Sequence, residues 1–438
     1  TGLANRTRFH DALAEQVARQ AETHLPFTLL MLDLDGFKAV NDSLGHSGGD
    51  DVLRIAADRL RAAVDERHLV ARLGGDEFAI LMRDSADPLQ AGEIGRRVIA
   101  SLEMPIRVQQ QMVHVSASIG VMPSRWPPLS AGDMLTAADL ALYDAKANGR
   151  ATVRLFTPEL RRVSMARSGL ANDLQAAWTE NQFELYYQPQ VDLVSGDVLG
   201  AEALIRWNHA KTGLVAPGAF LPVLESSHLA VPVGDWILQT ACRQARSFRA
   251  AGLGDVRIGI NLFAAQLRSP DFVERVEEAL RASGLAASQL ELEITENIVL
   301  LNERLIADHL RRIRAMGIGI AFDDFGTGYA SLTMLKKLDI TRLKIDRSFI
   351  SEIETSRKDQ GIVDAVIRMA EGCDLSVIAE GIEKQSQADF LRGKVGEGQG
   401  YLFGKPKPAD RFVQTFGQAP LSPERAMTPE QGVRKRAG

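Results

Sequence analysis

The chain has 438 residues, 45% hydrophobic and 24% charged, a composition that suits a globular protein of two or three domains and excludes a mainly disordered or membrane-embedded chain. Its 51 Lys plus Arg against 56 Asp plus Glu give a net charge of -5. That balance argues against a long nucleic-acid polymer as partner and leaves small phosphorylated ligands open, because local groups bind those.

Cys242 and Cys373 stand far apart and outside any metal-ligand spacing, which argues against a disulfide framework or zinc site and for a reduced, cytoplasmic setting. No apolar run reaches the length of a membrane span. The chain opens without Met on Thr1-Gly2-Leu3-Ala4-Asn5, so it reads as a fragment, with any sensor or inner-membrane anchor upstream of it.

From Arg6 to about Phe156 helices and strands alternate: an amphipathic helix, the strand FTLLMLDLD, a helix from Gly49, and two short strands around Gly74-Gly75. An α+β sheet domain is expected over 1–157. A polar stretch over 158–180 carries Leu160, Val163, Leu170, Leu174 and Ala177 at near-helical spacing and reads as a helical linker.

From Phe183 onward eight strand-like runs follow, FELYYQ, VLGAEALIRW, RIGINLF, QLELEIT, GIGIAFDD, RLKID, LSVIAE and QGYLF, most of them separated by a helix-length amphipathic segment. Eight strands alternating with helices predict a (β/α)₈ barrel over 181–415. The connection VDLVSGD between the first two runs is too short for a helical crossover, so that pair is expected to be antiparallel. The Pro-rich, charged remainder, 416–438, is expected to be a disordered tail.

In such a barrel chemistry sits at the C-terminal strand ends. Glu202, Asn261, Glu293, Glu296, Asp323, Asp324, Lys344, Asp346, Glu380 and Gln399 fall in or beside the runs. Any one of them is as well explained by a solvent-facing or paired side chain. Together, so many carboxylates converging on one mouth repel one another unless cations lie between them, and oxygen and amide ligands suit Mg²⁺ or Mn²⁺.

The runs AEALIRW, DDFGTGYASL, LKIDRSFI, AEGIE and QGYLFGKP, in this order over roughly 170–412, closely resemble the EAL family of cyclic di-GMP phosphodiesterases. The resemblance implies metal-dependent hydrolysis of cyclic di-GMP to linear 5′-pGpG, in bacterial signalling that governs motility and biofilm. It implies that Glu202, Asn261, Glu293 and Asp323 hold one metal, and Asp323, Asp324 and Glu380 the second. Lys344 would then position the attacking water, and Glu296 would brace the loop after Asp324, where Gly326, Thr327 and Gly328 allow movement. Gln188, Arg206 and Asp346 would contact substrate, with Gln399 at the metal-bound shell. Trp207 reads first as a core or interface residue, with a place in the pocket wall beside Arg206 as the alternative. Phe263, where the family usually has Ser, and Ala210, where Pro is common, are departures that remove no ligand.

In the first domain, Asp33 and Asp35 end one strand, and Asp76 and Glu77 follow Gly74-Gly75. This turn reads equally as an ordinary hairpin or as a place where a phosphate approaches the backbone. With DGFKAVNDSLGH, Asp50 and YDAKANGR, the region resembles the GGDEF diguanylate cyclase family over about 1–157. That resemblance implies Mg²⁺ on Asp33 and Asp76 with Glu77 supporting, guanine on Asn41 and Asp50, and triphosphate on Lys38, Lys146 and Arg150. The family's inhibitory Arg-x-x-Asp is replaced by Asp65-Glu66-Arg67-His68, so product feedback at that place is not expected.

The GTP-binding domain is expected to be regulatory, to be a cyclase, or both. Alternatives are a net diguanylate cyclase with a quiet barrel and a non-enzymatic cyclic di-GMP receptor. A homodimer is expected, through the barrel loop after Asp324 or through facing GGDEF domains.

Overall fold

The computed structural model describes residues 1–295, 298, 303–326 and 338–417. The chain divides into two compact units at Gly169–Leu170. Glu296, Thr327, Gly328, the loop segment proposed for dimer contact and the expected tail from 418 lie outside the described residues. Among the described residues no helix is long and apolar enough to cross a membrane.

The first unit runs α1 (Arg6–Thr23), β1 (Phe27–Asp35), α2 (Phe37–Ala63), β2 (Leu69–Gly74), β3 (Glu77–Arg83), α3 (Pro88–Glu103), β4 (Ile106–Val108), β5 (Gln111–Val113), β6 (Ser116–Pro123), α4 (Ala131–Ala147) and β7 (Val153–Leu155). Its five-stranded sheet has the order β2-β3-β1-β6-β7. Both faces of β1 are covered, which is why the strand is nearly all apolar. Leu29 and Met31 join the core with Phe9 and Leu13 of α1 and Met134 of α4, while Leu30, Leu32 and Leu34 pack on the opposite face with α2 and α3.

One expectation is corrected here. The helix starts at Phe37, not Gly49, and runs to Ala63 across a kink at Gly45, whose φ of 72° falls in the left-handed region that favours glycine. The segment DGFKAVNDSLGH is therefore mostly helical, with Gly36 as its left-handed entry.

A helix, α5 (Pro158–Thr179), leads into the second unit. There β8 (Phe183–Asp192), β9 (Val198–His209), β11 (Arg257–Asn261), β12 (Leu290–Thr295), β13 (Gly319–Phe325), β14 (Arg342–Ile345), β15 (Ser376–Ala379) and β16 (Glu397–Gln399) close into an eight-stranded barrel; β10 (Gly213–Val215) extends β9 as a hairpin. β8 pairs antiparallel with both β9 and β16, and the remaining neighbours from β9 to β16 are parallel. The antiparallel start follows from the short turn after β8, as expected.

Two boundaries move. The eighth strand precedes its expected run, because Tyr401, Leu402 and Phe403 lie in a turn. The last helix, Ala409–Phe416, buries Phe412 and Phe416 against the core, so ordered chain passes the expected boundary at 415.

Candidate active site and nucleotide site

Seven of the eight barrel strands, and the residue directly after the other, contribute a polar group to one interior layer. Gln188 lies on β8, Glu202 on β9, Asn261 on β11, Glu293 on β12, Asp323 on β13, Lys344 on β14 and Gln399 on β16, with Glu380 directly after β15. Buried polar groups of this density persist only when each finds a partner. Asn261 Nδ2 donates to Glu202 Oε1 at 2.7 Å, and Gln399 Nε2 donates to Glu202 Oε2 at 2.5 Å. Gln399 Nε2 also reaches Gln188 Oε1 at 3.2 Å, and Gln188 Nε2 donates to the Gly404 carbonyl.

Lys344 is the centre of the layer. Its side chain is 1% exposed, and Nζ lies 2.7 Å from Glu380, 3.1 Å from Asp323 and 3.8 Å from Glu202, and is ion-paired with Glu293. Burial alone would lower the Lys344 pKa, yet Asp323, Glu202, Glu293 and Glu380 together hold it well above the ordinary lysine value.

The carboxylates show the opposite strain. Burial first, then repulsion from Glu202, pushes the Glu293 carboxyl well up against the attraction of Lys344. Burial pushes Glu380 up to about 8, Lys344 pulling it down and Asp323 and Glu202 raising it. One ammonium does not neutralise this set.

Asp323 and Asp324 are neighbours in a strand, where alternation would send their side chains to opposite faces. The register between β13 and β14 shifts between Phe322 and Phe325, and Asp324 has a φ of 53°, a left-handed conformation that Asp tolerates better than most residues. The bulge turns both carboxylates toward Glu380, so that ligand atoms of Asp323, Asp324 and Glu380 all lie within 4.8 Å of one another. Burial and the charges of Asp323 and Asp346 push Asp324 up to about 6. Asp346, placed beside Asp324, also caps the helix Arg347–Ile350 by accepting from Ser348 N.

This donor set fits divalent cations. Glu293 Oε1 is buried and accepts no hydrogen bond among the described residues, and Glu380 Oε1 is close to Lys344 but out of hydrogen-bond geometry. A Cβ at Gly259 would collide with Glu293 Oε1, so the glycine keeps room for a ligand oxygen inside the barrel.

At the mouth, a cavity of about 200 Å³ is lined by Gln188, Glu202, Arg347, Glu380, Gln399 and Tyr401, among others. Arg206 is half-buried, stacks on Tyr186 at 5.5 Å and donates to its neighbour's carbonyl. Trp207 does not line this cavity. Its ring is 3% exposed within the core and its Nε1 donates to Gln182, so the indole is spent on packing. Phe263 is likewise buried.

Sequence reading missed Gln190, Arg257, Glu291, Arg342 and Glu397, a charged layer one register below the site. Gln190 follows Gln188 by two residues, the strand period, which was the available signal.

In the first unit the acidic groups also converge, but near solvent. Asp33 pairs with Glu77 across β1 and β3, and Leu34 N donates to the Asp76 carbonyl. Gly75, at a φ of 49°, turns the chain between them. Burial raises the Asp33 pKa, Lys146 opposing and Asp76 adding to the rise. Lys146 Nζ is 2.7 Å from Asp33, and Arg150 lies 3.8 Å from Asp35, whose carboxylate accepts from Ser118 Oγ and Ala151 N. Asn41 abuts Gly49, where a Cβ would clash with its Oδ1, whereas Lys38, Asp50 and Glu77 are exposed. A separate cavity of about 700 Å³ includes Arg8, Arg61, Asp65, Glu66 and His68.

Fold and site together define an eight-stranded barrel with a buried acidic centre at its strand ends, following an α+β sheet domain. The EAL domain model matches residues 171–406, and the diguanylate cyclase GGDEF domain model matches 1–152. The chain belongs to the EAL domain family, in tandem with a GGDEF domain.

It is 37% identical over 414 residues to the bifunctional diguanylate cyclase/cyclic di-GMP phosphodiesterase MucR of Pseudomonas aeruginosa, covering 94% of this chain and 60% of that protein. It is also 37% identical over 420 residues to the cyclic di-GMP phosphodiesterase NbdA of the same organism, covering 95% and 54%. The chain thus spans little more than half the length of these curated relatives. The solved MucR phosphodiesterase in complex with cyclic di-GMP is 40% identical, with a TM-score of 0.54, over 56% of this chain and 99% of that one.

Proposed function

We propose that the barrel hydrolyses cyclic di-GMP to linear 5′-pGpG, with Mg²⁺ or Mn²⁺ as its cofactor. The observation that carries this reading is the gathering of Glu202, Glu293, Asp323 and Glu380 around the buried ammonium of Lys344, with Asp324 beside Asp323 and Glu380. Glu202, Asn261, Glu293 and Asp323 would hold one divalent ion, and Asp323, Asp324 and Glu380 a second. Bound there, the pair supplies Lewis acidity toward a phosphodiester and acidifies an attacking water.

The chain's own groups do the rest. Asn261 and Gln399 grip both oxygens of Glu202, which keeps its carboxylate plane fixed. Lys344 can release carboxylates to cations and turn its N–H groups toward the attacking water and the phosphoryl oxygens, placing positive charge where negative charge develops. Arg206 and Gln188 stand at the mouth for phosphate and guanine, and Asp346 holds the rim beside Asp324. The barrel's β-bulge supplies the paired carboxylates without help from a second chain.

The GGDEF unit is proposed to bind GTP with Mg²⁺ through Asp33, Asp76 and Glu77, with Asn41 and Asp50 on the base and Lys38, Lys146 and Arg150 on the phosphates. In this reading GTP regulates the barrel or is itself cyclised by paired GGDEF domains. Incubation of the full chain with cyclic di-GMP and Mg²⁺, with and without GTP, followed by chromatography, tests both parts. Conversion to 5′-pGpG that disappears in Glu202→Ala supports the phosphodiesterase. Consumption of GTP into cyclic di-GMP while added dinucleotide persists overturns it in favour of a net cyclase.

A further inference from the structure

Below the metal-type layer the barrel floor is charged. Arg257 Nη2 lies 2.6 Å from Glu397 Oε2 and Arg257 Nε lies 3.4 Å from Glu291, while Arg342 binds the same two carboxylates at 2.7 Å and 3.2 Å. Burial raises the Glu397 pKa, but the two guanidiniums outweigh it and hold the carboxyl below its ordinary value. The floor is therefore a locked ion-pair network.

One path leads from it to the site. Arg257 Nη2 donates to Gln190 Oε1 at 3.4 Å, Gln190 Nε2 donates to Gln399 Oε1 at 3.0 Å, and Gln399 Nε2 donates to Glu202 Oε2 at 2.5 Å. Gln190 is fully buried, and a Cβ on Gly200 would lie 2.6 Å from its Oε1, so the glycine on β9 admits the amide to the barrel interior. The direction of the path is fixed by chemistry at both ends. A guanidinium only donates and an ionised carboxylate only accepts, so the two amides between them have a single fully satisfied orientation.

We infer that Gln190 is a positioning residue for the metal site: through Gln399 it transmits the fixed polarity of the Arg257–Glu397 floor to the carboxylate of Glu202. Gln190 touches neither the proposed metal ligands nor substrate. Its amide keeps Gln399 from rotating, and a rotated Gln399 would present Oε1 to a carboxylate oxygen. The inference rests on the phosphodiesterase reading for its catalytic consequence, and on geometry alone for its effect on ligand orientation.

Gln190→Glu separates this role from packing. The carboxylate has nearly the same shape and a stronger hold on Arg257, but it cannot donate to Gln399, which must turn over. In the full chain, Mn²⁺ titration followed by electron paramagnetic resonance without substrate should show affinity weakened about tenfold or more, the scale of losing an outer-shell partner. kcat for cyclic di-GMP should fall while KM changes little. Gln190→Met, neutral and of similar volume, gives the same readout where the carboxylate variant does not fold.

Mn²⁺ affinity equal to the parent's in a folded variant overturns the inference, because a packing role predicts that result. A parent that takes up Mn²⁺ but leaves cyclic di-GMP intact overturns the phosphodiesterase reading while leaving the positioning role in place.

Discussion

In the barrel, Lys344 is 1% exposed and lies among four carboxylates, whereas in the first domain Lys146 is 35% exposed and, among the described residues, pairs with Asp33 alone. Both sites use acidic groups and a lysine. The barrel surrounds them with eight strands, so charges interact at low dielectric and an excess of acidic groups is stored, part of it as protonated carboxyl. The hairpin site stays near water, and its charges pair one to one, which leaves little to be released. The difference teaches that the barrel holds its acidic groups in a preformed buried layer, while the hairpin's acidic groups sit beside solvent with partners of their own.

Substitution at the most constrained carboxylate should give the largest effect. Glu202→Ala is expected to lower hydrolysis of cyclic di-GMP by on the order of a thousandfold, the scale of removing a key electrostatic group. Asp76→Ala should leave basal hydrolysis without GTP near the parent's and abolish GTP binding, as read by calorimetry. Equal loss of hydrolysis in both variants breaks the contrast between the sites.

Removing the central ammonium comes next. Lys344→Met should reduce turnover and, without metal, destabilise the barrel by about 3–5 kcal/mol, because buried carboxylates lose their partner. Saturating Mg²⁺ should restore much of the stability and none of the turnover. A metal-free unfolding curve identical to the parent's would contradict the stored-charge account.

The pH dependence is smaller and has a definite sign. Glu380, pushed up to about 8, and Asp324, pushed up to about 6, keep their protons in the folded state at pH values where the unfolded chain has lost them. Folding therefore takes up protons between about pH 4 and pH 8, and metal-free stability from these groups declines as pH rises through that window. Differential scanning fluorimetry without metal should show Glu380→Gln gaining Tm on the parent from about pH 5 to pH 8. A constant difference sinks this prediction.

The hairpin site should give the least. Lys146→Ala removes a partly solvated pair, so a change in Tm of about a degree or less is expected, with Mg²⁺–GTP affinity falling about tenfold if Lys146 turns to phosphate. Loss of stability comparable to Lys344→Met would show that the two lysines are not so different.

How much of this was legible in the sequence depends on the element. Eight runs, the antiparallel first pair and the polar residues at strand ends were readable because strand period and turn length are local properties. The start of α2 was misplaced because Gly45, Gly48 and Gly49 look like breaks, and one kinked helix absorbs them. Trp207 reads chiefly as a core residue and is one; the alternative beside Arg206 fails because alternation along β9 sends the two side chains to different surroundings.

The sequence by itself determined which residues could carry the chemistry and that two domains follow one another, since residue type and spacing decide those. Only the tertiary structure decided that Asp323 and Asp324 point the same way, that Lys344 sits between four carboxylates, and that Gln190 connects a charged floor to Glu202. These depend on bulges, barrel closure and hydrogen-bond direction, which bring together residues up to 216 positions apart.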